Sequence, residues 1–211
     1  DALRQELAEI KEIAVDRARE KRLREFQTKL SRLVFLDPAC GSGNFLTETY
    51  ISLRRLENEV LGLLSYGQVT MADETSSPIQ VSIGQFYGIE INDFAVTVAK
   101  TALWIAESQM LKETEDVVHM SLDFLPLKSY ANIAEGNALR MDWAAVVPKE
   151  KLNYIMGNPP FVGARMMSAV QKDDLNDVFP GWKNAGNLDY VSCWYKKAAD
   201  LMDGAAIRAA L

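Results

Sequence analysis

Short apolar runs that alternate with long helical stretches constrain this chain more than any other feature. "LVFLD" (33–37) ends in Asp-Pro and a glycine turn, and "NFLTETYISLRRLENEVLGLL" (44–64) follows it as a helix. "IGQFYGIEI" (83–91) precedes the helical "DFAVTVAKTALWIAESQML" (93–111). A third strand is expected within "YANIAEGNAL" (130–139) and a fourth within "KLNYIMGNPPF" (151–161). "NLDYVSCWYKKAADLM" (187–202) reads as helix and "AAIRAAL" as a fifth strand, while Gly67 to Pro78 reads as a polar surface connection. Strands alternating with helices predict an α/β fold with a mainly parallel sheet and helices on both faces. In such sheets ligands bind beyond the carboxyl ends of the strands. Asp37, Glu90, Asn137 and Asn158 all sit at such ends.

Composition narrows the class. The 211 residues suffice for a real core, and 48% hydrophobic with 25% charged is ordinary for a globular domain. No apolar run approaches the roughly 18 residues that suggest a membrane helix. Cys40 and Cys193 make no disulfide framework, which favours a reducing cytoplasm, and with a single His119 they make no zinc set. The net charge of −6 is uneven: residues 1–32 carry nine Lys/Arg against seven Asp/Glu, leaving −8 for the remainder. Nothing here is a strong nucleic-acid footprint, so a DNA partner would need positive surface from elsewhere. Residues 1–30 are rich in helix formers, and Leu3, Leu7, Ile10, Ala14, Ala18 and Leu23 predict one amphipathic connector helix. The start at Asp1 and the closing "GAAIRAAL" suggest an excised piece of a longer protein.

Two stretches carry chemistry. In "DPACGSGNF" (37–45), Gly41 and Gly43 permit a tight turn and close backbone approach to a ligand just before a helix. Leu46 occupies the third glycine position of GxGxxG, and no P-loop pattern is present. Asp37 would repel a pyrophosphate but suits a cation, and S-adenosylmethionine carries an ammonium and a sulfonium without phosphate; an Asp-Pro turn capped by glycines is the plain alternative. Glu90, 47 residues after Gly43, is placed to accept ribose hydroxyls or to form a surface salt bridge. Asn137 could meet an adenine edge or build a turn.

"NPPF" (158–161) is a rigid end to a strand, since two prolines remove two donors and Pro159 drives Asn158 out of the helical region. An Asn oxygen and a proline carbonyl can both accept from one exocyclic amino group, and Phe161 can stack on a base. Two acceptors would draw an aromatic amine towards tetrahedral geometry and stabilise its developing charge. A proline-stiffened loop with a buried Phe is the alternative.

Taken in order, these motifs resemble those of amino-DNA methyltransferases: "DPACGSGNF" motif I, "YGIEI" motif II, "EGNAL" motif III and "NPPF" motif IV. Cofactor motifs ahead of the catalytic motif resemble the gamma-class N6-adenine enzymes. "FLDPACGSGNFLTETYISLRRLE", "FYGIEINDFAVTVAKTALWIAESQM" and "GNPPFVGARMMS" look most like type IIL enzymes, which fuse nuclease and methyltransferase in one polypeptide. The resemblance covers about residues 33–203. It implies a Rossmann-like class I S-adenosylmethionine-dependent methyltransferase fold over 33–211, truncated after about the fifth strand, behind a connector at 1–32.

By the same resemblance, Asp37, Ala39, Gly41 and Gly43 surround the methionine moiety, with Pro38, Asn44 and Phe45 in the same cofactor-binding loop. Glu90 binds the ribose, Asn137 and Ile91 flank the cofactor adenine, and Ala138 lies beside them. Asn158, Pro159, Pro160 and Phe161 hold a target adenine flipped out of the duplex. The family often has Asp where Asn137 stands, and Phe161 replaces the equally common Tyr. The methyl would pass directly to N6, leaving S-adenosylhomocysteine, with neither metal nor cysteine nucleophile. Cys40 is then a small buried residue, and Tyr190 and Trp194 belong to the core or line the base pocket. Motif X is not identifiable in residues 1–32. The implied partner is double-stranded DNA, held through a recognition domain outside this chain, in a bacterial or archaeal cytoplasm. The piece alone is expected to be inactive. An N-methyltransferase of RNA guanine or protein glutamine, or a non-catalytic module of the same fold, would share these motifs.

Overall fold

The computed structural model describes residues 2–65, 78–119, 122 and 131–211. They divide into two compact units: residues 1–33, 47–85 and 103–130, and residues 34–46, 86–102 and 131–211. The expected connection at 67–78 lies, except for Pro78, outside the described residues. No helix among the described residues is long and apolar enough to cross a membrane.

The first unit is helical. Its amino-terminal stretch forms two helices, α1 (Ala2–Lys11) and α2 (Asp16–Ser31), where one was expected. The break has a geometric reason. At 3.6 residues per turn, Ile10 and Leu23 on one straight helix would point about 140° apart. Interruption at 12–15 lets Leu7 and Ile10 be buried together with Leu23, Phe26 and Leu30, and leaves Ala14 and Ala18 exposed. Arg19 secures the corner by donating to the Ile13 carbonyl at 3.0 Å. Most of α3 (Asn44–Ser65) and the second half of α4 (Asp93–Val118) belong to this unit. Between them Arg54 and Glu57 form a buried ion pair. Arg54 also donates to Thr114, and Glu57 accepts from Gln27 and from the Gln80 and Val81 amides. A buried pair is tolerable only with such additional bonds.

The second unit holds the sheet: β1 (Phe35–Asp37), β2 (Phe86–Glu90), β3 (Asn132–Glu135), β4 (Tyr154–Met156) and β5 (Arg208–Ala210). All neighbours are parallel, in the order β3-β2-β1-β4-β5. The expected second strand begins late, because Ile83–Gln85 form a 3-10 turn. Phe35 on the central strand stacks between Phe86 and Tyr154, with both ring separations 5.2 Å, and pins the register of three strands. Leu36, Ile89 and Ile155 continue into a core with Trp143, Leu175, Cys193 and Trp194. The strand order winds outward in both directions and reverses between β1 and β4.

Three helices complete this unit. α5 (Trp143–Val146) is capped by Asp142, which accepts from the Ala144 amide. α6 (Ala169–Val178) opens with a reciprocal capping box between Ser168 and Gln171. α7 runs from Ser192 to Met202, so the expected helix starts five residues late and Tyr190 stands in the turn before it.

Candidate active site

The first loop leaves β1 at Asp37, which is fully buried. Its Oδ1 accepts from the Ala39 amide at 3.0 Å, while Oδ2 is buried with no hydrogen-bond partner. Burial pushes the carboxyl up to about 7, partly offset by the Ala39 bond and reinforced by the charge of Glu90. The loop folds back on itself: Cys40 donates to the Ile89 carbonyl at 3.1 Å and Gly43 to the Cys40 carbonyl at 2.8 Å. Gly41 and Gly43 take φ of +54° and +81°, and a Cβ at 43 would come within 3.0 Å of the Ala99 side chain. Both positions therefore need glycine for backbone shape. Asn44 and Phe45 begin α3 and are exposed. Cys40 is buried, and burial drives its thiol up to about 12.

Glu90 at the end of β2 joins the loops. Its Oε2 accepts from the Gly41 amide and its Oε1 from the Asn92 amide, both at 2.9 Å, while its carbonyl accepts from Gly136. Each carboxylate oxygen keeps a further lone pair for a hydroxyl. Ile91 next to it is 68% exposed. After β3, Asn137 accepts from the Leu139 amide and donates to Asp174, and Ala138 is buried in the core.

The loop leaving β4 begins at Gly157. A Cβ there would stand 2.5 Å from Asp37 Oδ1, so this loop and the first one touch. Asn158 and Pro160 are exposed, Pro159 is buried, and Phe161 is 66% exposed. Beyond the prolines the chain is gripped from both sides. The Val162 amide donates to Asp189 Oδ1, and the Val162 carbonyl accepts from the Tyr190 amide, both at 3.0 Å. Phe161 is thus an open aromatic face on a fixed backbone.

The expected residues converge on the carboxyl ends of β1, β2, β3 and β4. Sequence reading passed over what holds them. Trp194 donates from its indole to the Pro38 carbonyl at 3.0 Å and meets Tyr190 edge to face at 5.3 Å. Tyr190 donates to Asp174, which is 2% exposed and also accepts from Arg140. The core reading of Tyr190 and Trp194 therefore fits their burial, with polar tips that serve the loops. Only the Ser168–Gln171 capping signal hinted at α6, the helix that carries Asp174.

Chemically, the orphaned oxygen of Asp37 suits a cationic ligand and the spare lone pairs of Glu90 suit hydroxyls. Asn158 beside an exposed ring suits a flat amine. Comparison with known proteins gives the family. Residues 12–211 match the family model described as the DNA-methyltransferase domain of MmeI. A Bacillus subtilis protein named DNA methyltransferase A is 41% identical over 177 residues, covering 82% of this chain and 20% of its own length. A Streptomyces coelicolor protein named adenine-specific methyltransferase PglX is 29% identical over 97 residues, 46% of this chain and 7% of its own. The solved structure of the type IIL restriction–modification enzyme MmeI in complex with DNA superposes with a TM-score of 0.89 at 40% identity. The match covers 99% of this chain and 27% of that one.

Proposed function

The chain belongs to the family of MmeI-type DNA-methyltransferase domains, and from that premise we propose that it methylates the N6 amino group of an adenine flipped out of double-stranded DNA, within a restriction–modification enzyme. It spans a fifth to about a quarter of the relatives it matches most fully.

The observation that carries this reading is the contact between two loops: Asp37, whose Oδ2 is orphaned, lies with its Oδ1 directly against Gly157, the residue before Asn158. A cation held by Asp37 and an amine held by Asn158 are thereby neighbours. The residues present fit S-adenosylmethionine. The buried Oδ2 of Asp37 lacks a partner that an α-ammonium would provide. Pro38, Ala39, Gly41 and Gly43 form the close wall beside it, with Asn44 and Phe45 at its rim. Glu90 accepts the ribose hydroxyls, and Ile91, Asn137 and Ala138 border the adenine. When bound, the cofactor supplies a methyl group made electrophilic by its sulfonium sulfur.

Asn158 and the Pro159 carbonyl accept from the two hydrogens of N6, localising its lone pair, while Phe161 stacks on the target ring and Pro160 stiffens the loop. Positioning carries much of the acceleration. Cys40, buried and strongly protonated, takes no part.

The test is calorimetry with S-adenosylmethionine together with nucleoside analysis of methylated DNA, using the full-length protein. Asp37→Ala should abolish cofactor binding, whereas Asn158→Ala should retain it and lose N6-methyladenine formation. Methylation of RNA or protein in place of DNA, or no cofactor binding by the unmutated protein, overturns the reading.

A further inference from the structure

In the reading proposed above Asn137 borders the cofactor adenine, whose 6-amino group only an acceptor would recognise. An amide can present either its oxygen or its NH₂, and adenine does not itself decide which before binding. The structure contains two groups that decide, the Leu139 amide on one side and a carboxylate on the other. Asp174 Oδ2 lies 3.1 Å from Asn137 Nδ2 and 2.7 Å from the Tyr190 hydroxyl, and Asp174 Oδ1 lies 2.6 Å from Arg140 Nε. Burial works to raise the pKa of Asp174, but the three donors outweigh it and hold the carboxyl below its ordinary value. An ionised carboxylate only accepts, so the group of Asn137 that faces it must be the NH₂. Asn137 Oδ1 is then turned the other way, where it accepts from the Leu139 amide at 2.9 Å and keeps a second lone pair.

We propose that Asp174 is a positioning residue that sets the specificity of the cofactor site for adenine, by locking Asn137 with its carbonyl oxygen free to accept. This rests on the reading of Asn137 as bordering the cofactor adenine. The same carboxylate holds Tyr190, whose backbone amide grips Val162 just past Phe161. One buried acid therefore orients a cofactor-side amide and anchors the loop that carries the base-holding residues.

The measurement is the affinity of the full-length protein for S-adenosylhomocysteine against S-inosylhomocysteine, whose 6-oxo group accepts where adenine's amino group donates. The native protein should prefer the adenosyl compound by at least tenfold. In Asp174→Asn the new amide can donate to Asn137 Oδ1, and only the Leu139 amide is left to hold the present orientation, so the preference should narrow about tenfold through weaker adenosyl and retained inosyl binding. Equal loss for both ligands would mean that Asp174 only supports the fold, and no change for either would mean that it does not orient Asn137; both overturn the proposal. Asn137→Ala separates the two levels: an undiminished preference in that variant removes the reading of Asn137 itself. Should Asp174→Asn not fold, the exchange Asn137→Asp with Asp174→Asn keeps the donor–acceptor pair and fixes an acceptor at 137. That variant should keep the adenosyl preference, and inversion towards the inosyl compound would overturn the proposal.

Discussion

Gly157 and Asp37 are 120 residues apart in the chain, yet a methyl group on the first would stand 2.5 Å from Oδ1 and 3.1 Å from Cγ of the second. The missing side chain at 157 is what lets the Asp37 carboxylate keep its bond to the Ala39 amide.

Gly157→Ala should therefore act on the cofactor before it acts on the base. The carboxylate must swing away and lose a hydrogen bond worth about 1.5–3 kcal/mol for a charged acceptor. Calorimetry should show S-adenosylmethionine binding weakened tenfold or more. An unchanged dissociation constant would show that the carboxylate has room to move.

The pH response of Asp37 has a definite sign. Folding raises this carboxyl from 3.8 to about 7. The stability held by its neutral form is full below about pH 4 and is lost as pH climbs through about 7, a difference of about 4 kcal/mol in the free protein. A bound ammonium needs the carboxylate, so cofactor affinity should rise about fivefold from pH 6 to pH 7. That window lies below the range near 8 where an α-ammonium begins to lose its own proton. Asp37→Asn should flatten the profile, and a slope that survives this substitution would assign the proton elsewhere.

Phe161 offers a clean separation of function from fold. Its ring is largely exposed, so Phe161→Ala should move the unfolding free energy by no more than about 0.5 kcal/mol. Loss of stacking should cost about 1–3 kcal/mol at the target base, seen as a roughly 5- to 150-fold fall in kcat/KM for DNA. Phe161→Tyr should restore most of it. A large fall in urea midpoint for the alanine variant would contradict the open position of the ring.

Cys40 should be chemically silent. Its thiol is pushed up to about 12 by burial and by the neighbouring charges of Asp37 and Glu90. Iodoacetamide should leave it unmodified in the folded protein at pH 8, and Cys40→Ala should still methylate DNA. Loss of methylation in a folded Cys40→Ala protein would point to covalent catalysis.

What the sequence disclosed follows a physical division. Strand ends such as Asp37 and Glu90 were legible because apolar runs and glycine turns are local signals. The break before Asp16 was not, since a continuous polar helix satisfies local propensity and only the phase between Ile10 and Leu23 betrays it. α6 escaped because Leu175 and Asp174 are its buried residues, too few to leave a periodic trace. The bond from Asp174 to Asn137 spans 37 residues of chain and has no local signature. Trp194 read as packing because its indole donor meets a carbonyl 156 residues away.

The stacking of Tyr154 on Phe35 also sets a clock for biosynthesis. β1 lies at the centre of the sheet, but the strand that closes its second side is 119 residues downstream. At roughly 5–20 residues per second of translation, that side stays open for roughly 6–24 s. Once β2 has paired on the other side, Phe35 and Leu36 sit on a bare parallel edge until β4 emerges, the kind of surface that recruits other chains. A segment that needs a chaperone's cover during synthesis is therefore the one that ends at Asp37.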